Sequence, residues 1–142
     1  MVKRAERQPE AGLVAAGTPC ILAIDDVHLF AAPAVAEAIR RFYIELIALD
    51  PLPAECTENR LAFYGYPRSG PRLFVTLMER PPEPPQKRQL VVQIASLFDL
   101  AESLIEQSIP YEWSRGWSYY DRRLCVLDPA DNRVELVAYH FL

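Results

Sequence analysis

The side chain that makes the clearest chemical demand on this sequence is Glu135, in the closing run LCVLDPADNRVELVAY from Leu124 to Tyr139. Two apolar stretches flank the turn-forming DPADN, which predicts a β-hairpin with a loop longer than two residues. Past the turn, Val134, Leu136 and Ala138 alternate with Glu135, Val137 and Tyr139, so a period of two sets Glu135 on one face beside apolar neighbours. A carboxylate held there costs free energy unless something pairs with it. The chemistry of the chain therefore turns on what meets Glu135.

Internal repetition offers candidates. An offset of 61 residues carries His28, Leu29 and Phe30 onto Gln89, Leu90 and Val91, and the same offset carries Arg72 to Met78 onto Arg133 to Tyr139. If a pseudo-twofold axis relates the halves, positions 28, 74, 89 and 135 converge on it, and their occupants are His, Phe, Gln and Glu. Three of these can bind a metal through nitrogen or oxygen.

The elements that must position these groups follow from the patterning. Ile24 to Phe30 reads as a strand carrying His28, and Pro33 opens a helix with Val35, Ala38, Ile39, Phe42, Tyr43 and Leu46 at three- and four-residue spacing. Pro51 and Pro53 forbid its continuation. Leu61 to Tyr66 and Leu73 to Met78 read as a hairpin around PRSGP, and PPEPP cannot join a sheet interior. The order then restarts: a strand over Leu90 to Ala95, a capping box of Ser96 with Asp99, and a helix presenting Leu97, Leu100, Ala101, Leu104 and Ile105. A short strand near Tyr111 to Trp113, the loop SRGWSYY and the closing hairpin complete it. Strand, helix and three strands occur twice, which is a duplication. Residues 1–20 read as a flexible extension and 21–140 as one domain, with a first module at about 21–80, a linker at 81–87 and a second module at about 88–140.

Composition narrows the function. The 142 residues are 51% hydrophobic, enough for one core, and the net charge of -4 is spread without a basic patch, so neither nucleic acid nor a membrane is an expected partner. The apolar runs are too short to span a bilayer. Cys20, Cys56 and Cys125 form no CxxC pair and fit reduced thiols in a cytoplasmic protein. No Ser-His-Asp arrangement or Gly-rich phosphate loop is present.

The run HLFAAPAVAEAIRRFY, with FY closing the helix, followed by LDPADNRVEL, resembles the vicinal oxygen chelate superfamily of glyoxalases, bleomycin and fosfomycin resistance proteins and extradiol dioxygenases, over about residues 22–140. The family's ending typically reads DPDGNxxEL; here Asp131 replaces its glycine. The resemblance implies an α+β fold of two tandem βαβββ modules forming a curved mixed β-sheet cleft. It also implies metal ligands at His28, Gln89 and Glu135, with Glu135 as the catalytic group. Phe74 stands where glyoxalases carry a fourth ligand, and it cannot coordinate. A divalent Fe, Mn, Ni or Zn ion held this way would act as a Lewis acid on a small oxygen-rich or aromatic substrate, in lyase- or dioxygenase-type chemistry. Phe74, Trp117, Tyr119 and Arg123 are the candidate substrate contacts, within one chain or across a homodimer. The alternative is a metal-free module of the bleomycin-sequestering kind, in which an aromatic cleft holds a small molecule and no bond breaks.

Overall fold

The structure is a computed structural model, and it describes residues 26–66, 69–82, 85, 89–115 and 122–138. Among the described residues, seven strands form two sheets. The first has the order β1 (Val27–Ala31), β3 (Ser69–Leu77), β2 (Arg60–Tyr66), and the second β4 (Gln89–Gln93), β7 (Arg133–Val137), β6 (Arg122–Leu127), β5 (Glu112–Arg115). In each sheet the opening strand runs parallel to the last strand of its module, β1 beside β3 and β4 beside β7. Such a pair needs a crossover, which a helix supplies in each half.

The first crossover is helical from Pro33 to Leu46 in three geometries: a 3-10 turn at Pro33–Val35, α1 (Ala36–Arg41) and a π-helical turn at Phe42–Leu46. Ile39, Phe42 and Tyr43 are its buried face, the one the spacing predicts. The wide turn ends as Ile47 N–H donates to Phe42 O and Leu49 N–H to Tyr43 O, with Ala48 at φ 71°. In the second half, the Ser96 hydroxyl accepts from Asp99 N–H at 3.2 Å and caps α2 (Leu97–Glu106). Leu100, Ala101 and Leu104 are buried, whereas Ile105 is exposed, because it lies about a quarter-turn from the centre of that apolar stripe.

Three strands follow each helix in the sequence reading. The second module has them; the first has β2, β3 and a remnant. Asp50 to Leu52 runs beside β2, with Tyr64 N–H donating to Asp50 O and Leu52 N–H to Ala62 O, but the pairing shrinks to a single bridge between Pro51 and Phe63. Pro51 and Pro53 have no N–H to extend the ladder. In β2 the register shifts between Tyr64 and Tyr66, and a Cβ on Gly65 would collide with the Pro71 carbonyl oxygen. Only glycine lets the two backbones approach that closely.

One buried cluster joins both halves: Leu29, Ala31, Leu73 and Val75 of the first sheet, Ile39 and Tyr43 of the first crossover, Leu100 and Leu104 of α2, and Leu124, Val126, Val134 and Leu136 of the second sheet. Strand alternation then sends His28, Phe74, Gln89, Val91 and Glu135 to the sheet faces turned away from this core. A smaller cluster of Leu52, Ala62 and Phe74 occupies that outer face of the first sheet. Among the described residues no helix is long and apolar enough to cross a membrane.

Candidate functional site

Glu135 lies on β7, 9% exposed, and both its oxygens are engaged. Arg123 Nη1 donates to Oε1 at 3.0 Å and Arg133 Nε donates to Oε2 at 3.1 Å. The strand geometry explains both partners. Arg133 is two residues before Glu135 on the same face, and Arg123 stands across the hairpin opposite Val137, two pairs along from the Cys125–Glu135 pair and so on the same face. The side chains of Arg123 and Glu135 are only 15% and 12% exposed, so this is a largely desolvated ion pair. Glu135 in turn holds the Arg133 guanidinium above its ordinary range, against the opposing effect of burial. Arg133 Nη2 also donates to Cys125 Sγ at 3.1 Å, and Ser114 Oγ lies 3.4 Å from the same sulfur.

The opening strands are two residues out of step with the fixed offset. His28 is paired with Phe74 in the first sheet, but Glu135, the counterpart of Phe74, is paired with Val91. Gln89 is instead paired with Arg133. It shares Glu135's face but sits two pairs down the ladder, and the position that mirrors His28 belongs to a valine with no donor atom. The sequence offset hides this slip because a shift of two preserves the face.

His28 is exposed and its ring stacks on Phe74, with centroids 5.4 Å apart and planes at 24°. Phe74 is buried under more than this ring. The Arg60 guanidinium lies 4.6 Å from the phenyl centroid and that of Arg72 5.1 Å, a double cation–π arrangement. Arg60 is held by Glu55, and Arg72 by Asp26, whose carboxylate accepts from the Arg72 backbone N–H at 2.8 Å and from Nη2 at 2.8 Å. The Arg72 side chain, and then its backbone N–H, hold the Asp26 carboxyl below the usual range.

These surroundings fit a divalent metal poorly. Both oxygens of Glu135 already meet guanidinium groups, and a divalent ion about 5 Å from one such fixed charge is repelled by roughly 7 kcal/mol at an effective dielectric near 20. Val91 replaces a donor, and His28 packs on a phenyl ring. Among the described residues, no three His, Cys, Asp or Glu side chains group closely enough to hold a metal.

Arg123, a candidate substrate contact, donates to Glu135. Trp113 is paired with Leu124, so it faces the helix side, with the Arg122 guanidinium 4.3 Å over its ring. Trp117 and Tyr119 lie outside the described residues. A cavity of about 280 Å³ lined by Leu46, Ile94, Ser96, Asp99 and Leu136 also opens on the helix side, the opposite face of β7 from Glu135.

Two further residues, quoted in the sequence motifs but given no role there, organise the hairpin. Asp128 is buried: its Oδ1 accepts from Ala130 and Asn132 N–H, and its Oδ2 accepts from Asn132 Nδ2 at 3.0 Å and from Tyr43 O–H at 2.7 Å. Asn132 Nδ2 also donates to Phe30 O at 3.0 Å. Thus FY and DPADN, far apart in sequence, are two ends of one hydrogen-bond network that ties β1 and the first crossover to the last hairpin. Asp131 takes φ 66°, the left-handed conformation that its place in the turn demands.

No family model matches the chain, and no curated protein matches it. Solved structures do. A Bacillus anthracis protein named for the glyoxalase family superposes with a TM-score of 0.69 at 21% identity, covering 86% of this chain and 98% of that one. A lactoylglutathione lyase from Agrobacterium tumefaciens gives 0.59 at 17% identity, covering 82% and 92%. A member of the glyoxalase/bleomycin resistance protein/dioxygenase superfamily from Sphaerobacter thermophilus gives 0.61 at 13% identity, covering 84% and 98%. With two mixed sheets, parallel outer-to-inner pairing in each half and this likeness over most of its length, the chain has the vicinal oxygen chelate fold.

Proposed function

We propose that the chain is a metal-free small-molecule binding protein that uses the Glu135 face of its second sheet. The observation that carries this reading is the double engagement of Glu135 by Arg123 and Arg133. In a metal centre the carboxylate's negative charge would be spent on the cation. Here two fixed guanidinium groups neutralise it, and the outcome is a rigid polar floor rather than an open coordination site. Val91, which is 48% exposed, supplies apolar surface on the same face. Such a floor can recognise and orient a small molecule, and it requires no bond to break.

The competing reading is a metal-dependent lyase or dioxygenase with His28, Gln89 and Glu135 around Fe, Mn, Ni or Zn. Purification without chelator followed by elemental mass spectrometry separates the two. The binding reading expects substoichiometric metal, before and after incubation with each of the four ions. One equivalent of metal that disappears in both His28→Ala and Glu135→Ala would overturn it in favour of the enzyme.

The free thiols of Cys56 and Cys125 support a reducing compartment for the protein, as in the cytoplasm. Strands β1 and β4 end their sheets without a second neighbour among the described residues, which supports a homodimer; sedimentation equilibrium tests it.

A further inference from the structure

The Arg133 guanidinium has two usable edges, and Glu135 and Cys125 take one of them. Nε donates to Glu135 Oε2 and Nη2 donates one proton to Cys125 Sγ. Among the described residues Nη1 has no partner, and the second Nη2 proton points along the same outer edge. The Arg133 side chain is 37% exposed, and its Nε and one Nη2 proton are held by the inner contacts. What surrounds it is specific. In the ladder, Arg133 stands between the exposed amide of Gln89 on β4 and Leu127 on β6, which is 45% exposed. Val91, two residues from Gln89 on the same face, is 48% exposed.

We infer that this outer edge is an anchor for the carboxylate of a small organic acid whose apolar body lies on Val91 and Leu127. The inference rests on the small-molecule reading above and names its ligand class. The inner contacts do two things for it: they fix the plane of the fork, so little rotamer entropy is lost on binding, and they leave an end-on pair of N–H donors matched to a planar carboxylate. Gln89, directly beside Arg133, adds an amide donor. Glu112 lies within electrostatic reach of Arg133 and, with Glu135, offsets the charge of the two arginines. Recognition therefore depends on the directed fork more than on a broad positive field, which sets the ligand's class as a planar oxyanion carrying an apolar group.

The test uses benzoate and its neutral isostere benzyl alcohol as probes, titrated into the full chain and followed by amide chemical shifts. Benzoate is expected to move the amides of β4 and β7 saturably, with benzyl alcohol weaker by about tenfold, the equivalent of one good charge-assisted contact. Arg133→Gln should abolish the preference for benzoate over benzyl alcohol, and Arg133→Lys, which keeps the charge without the fork, should retain only part of it. If Arg133→Gln fails to fold, the ratio of the two probes on the wild-type chain still decides. Equal binding of both probes would overturn the carboxylate anchor and leave the binding reading intact. If neither probe moves any β4 or β7 amide at millimolar concentration, the anchor is overturned, whereas one equivalent of bound metal in the separate assay would overturn the metal-free reading.

Discussion

The Tyr43 hydroxyl donates to Asp128 Oδ2 at 2.7 Å across 85 positions of sequence, inside a buried network that Asn132 completes. Burial, and then the neighbouring carboxylate, push the Tyr43 phenol well above its ordinary range. Its neutral form is thus favoured in the folded chain. The stability this gives is complete below the unfolded phenol pKa of about 10 and is lost as pH rises through the higher folded value.

Tyr43→Phe removes the donor and leaves Asp128 with one partner fewer. Urea unfolding at neutral pH is expected to show a loss of about 1.5–3 kcal/mol, the range for a hydrogen bond to a charged group. Wild type should also lose stability on the alkaline side more steeply than the variant. Parallel alkaline limbs would count against the network.

The Arg123–Glu135 pair is best probed by a double-mutant cycle. Arg123→Met strips Glu135 of one of its two cations, and Glu135→Leu leaves two guanidinium groups facing each other. Each is expected to cost about 2–4 kcal/mol, because breaking a desolvated pair exposes the uncompensated partner. The double variant should lose clearly less than the sum. Additive losses would mean that the pair contributes no coupling.

Asp131, at φ 66°, replaces a glycine of the resembled turn. Asp131→Gly should change stability by no more than about 0.5 kcal/mol, since relief of the left-handed strain is offset by the greater freedom of the unfolded chain. Asp131→Val should cost roughly 1–2 kcal/mol, as a β-branched residue tolerates this conformation worst. Thermal melts of the three proteins check the order.

Asp26 is tied to Arg72 through both side chain and backbone, and its carboxyl is lowered in the fold. A depressed folded pKa gives stability that is fully present above the unfolded value of about 3.9 and is lost as pH falls through the folded one. Asp26→Asn should therefore flatten the dependence of the melting temperature on pH below about 4 and leave its slope between pH 6 and 8 unchanged. A change confined to neutral pH would contradict the assignment.

Local pattern made much of this architecture legible. The alternation around Glu135, the three- and four-residue spacing from Val35 to Leu46 and the prolines at 51 and 53 each act through nearby backbone, and the elements they predict are present. Arg123 and Arg133 as the partners of Glu135 were also within reach. Counting two residues back along β7 gives Arg133, and counting outward from the Asp128–Asn132 turn places Arg123 two pairs beyond Cys125–Glu135, on the same face.

The sequence by itself determined that a carboxylate would sit on an apolar strand face and need a partner, that the chain is built twice over, and which side of each strand meets the helices. Tertiary structure decided the register of β4 on β7 and hence that Val91, not Gln89, stands beside Glu135. A slip of two residues keeps every side chain on its own face, so hydrophobic pattern cannot detect it; only packing between strands distant in sequence can fix it. The same packing brought Tyr43 to Asp128 and gave the hairpin turn its structural role.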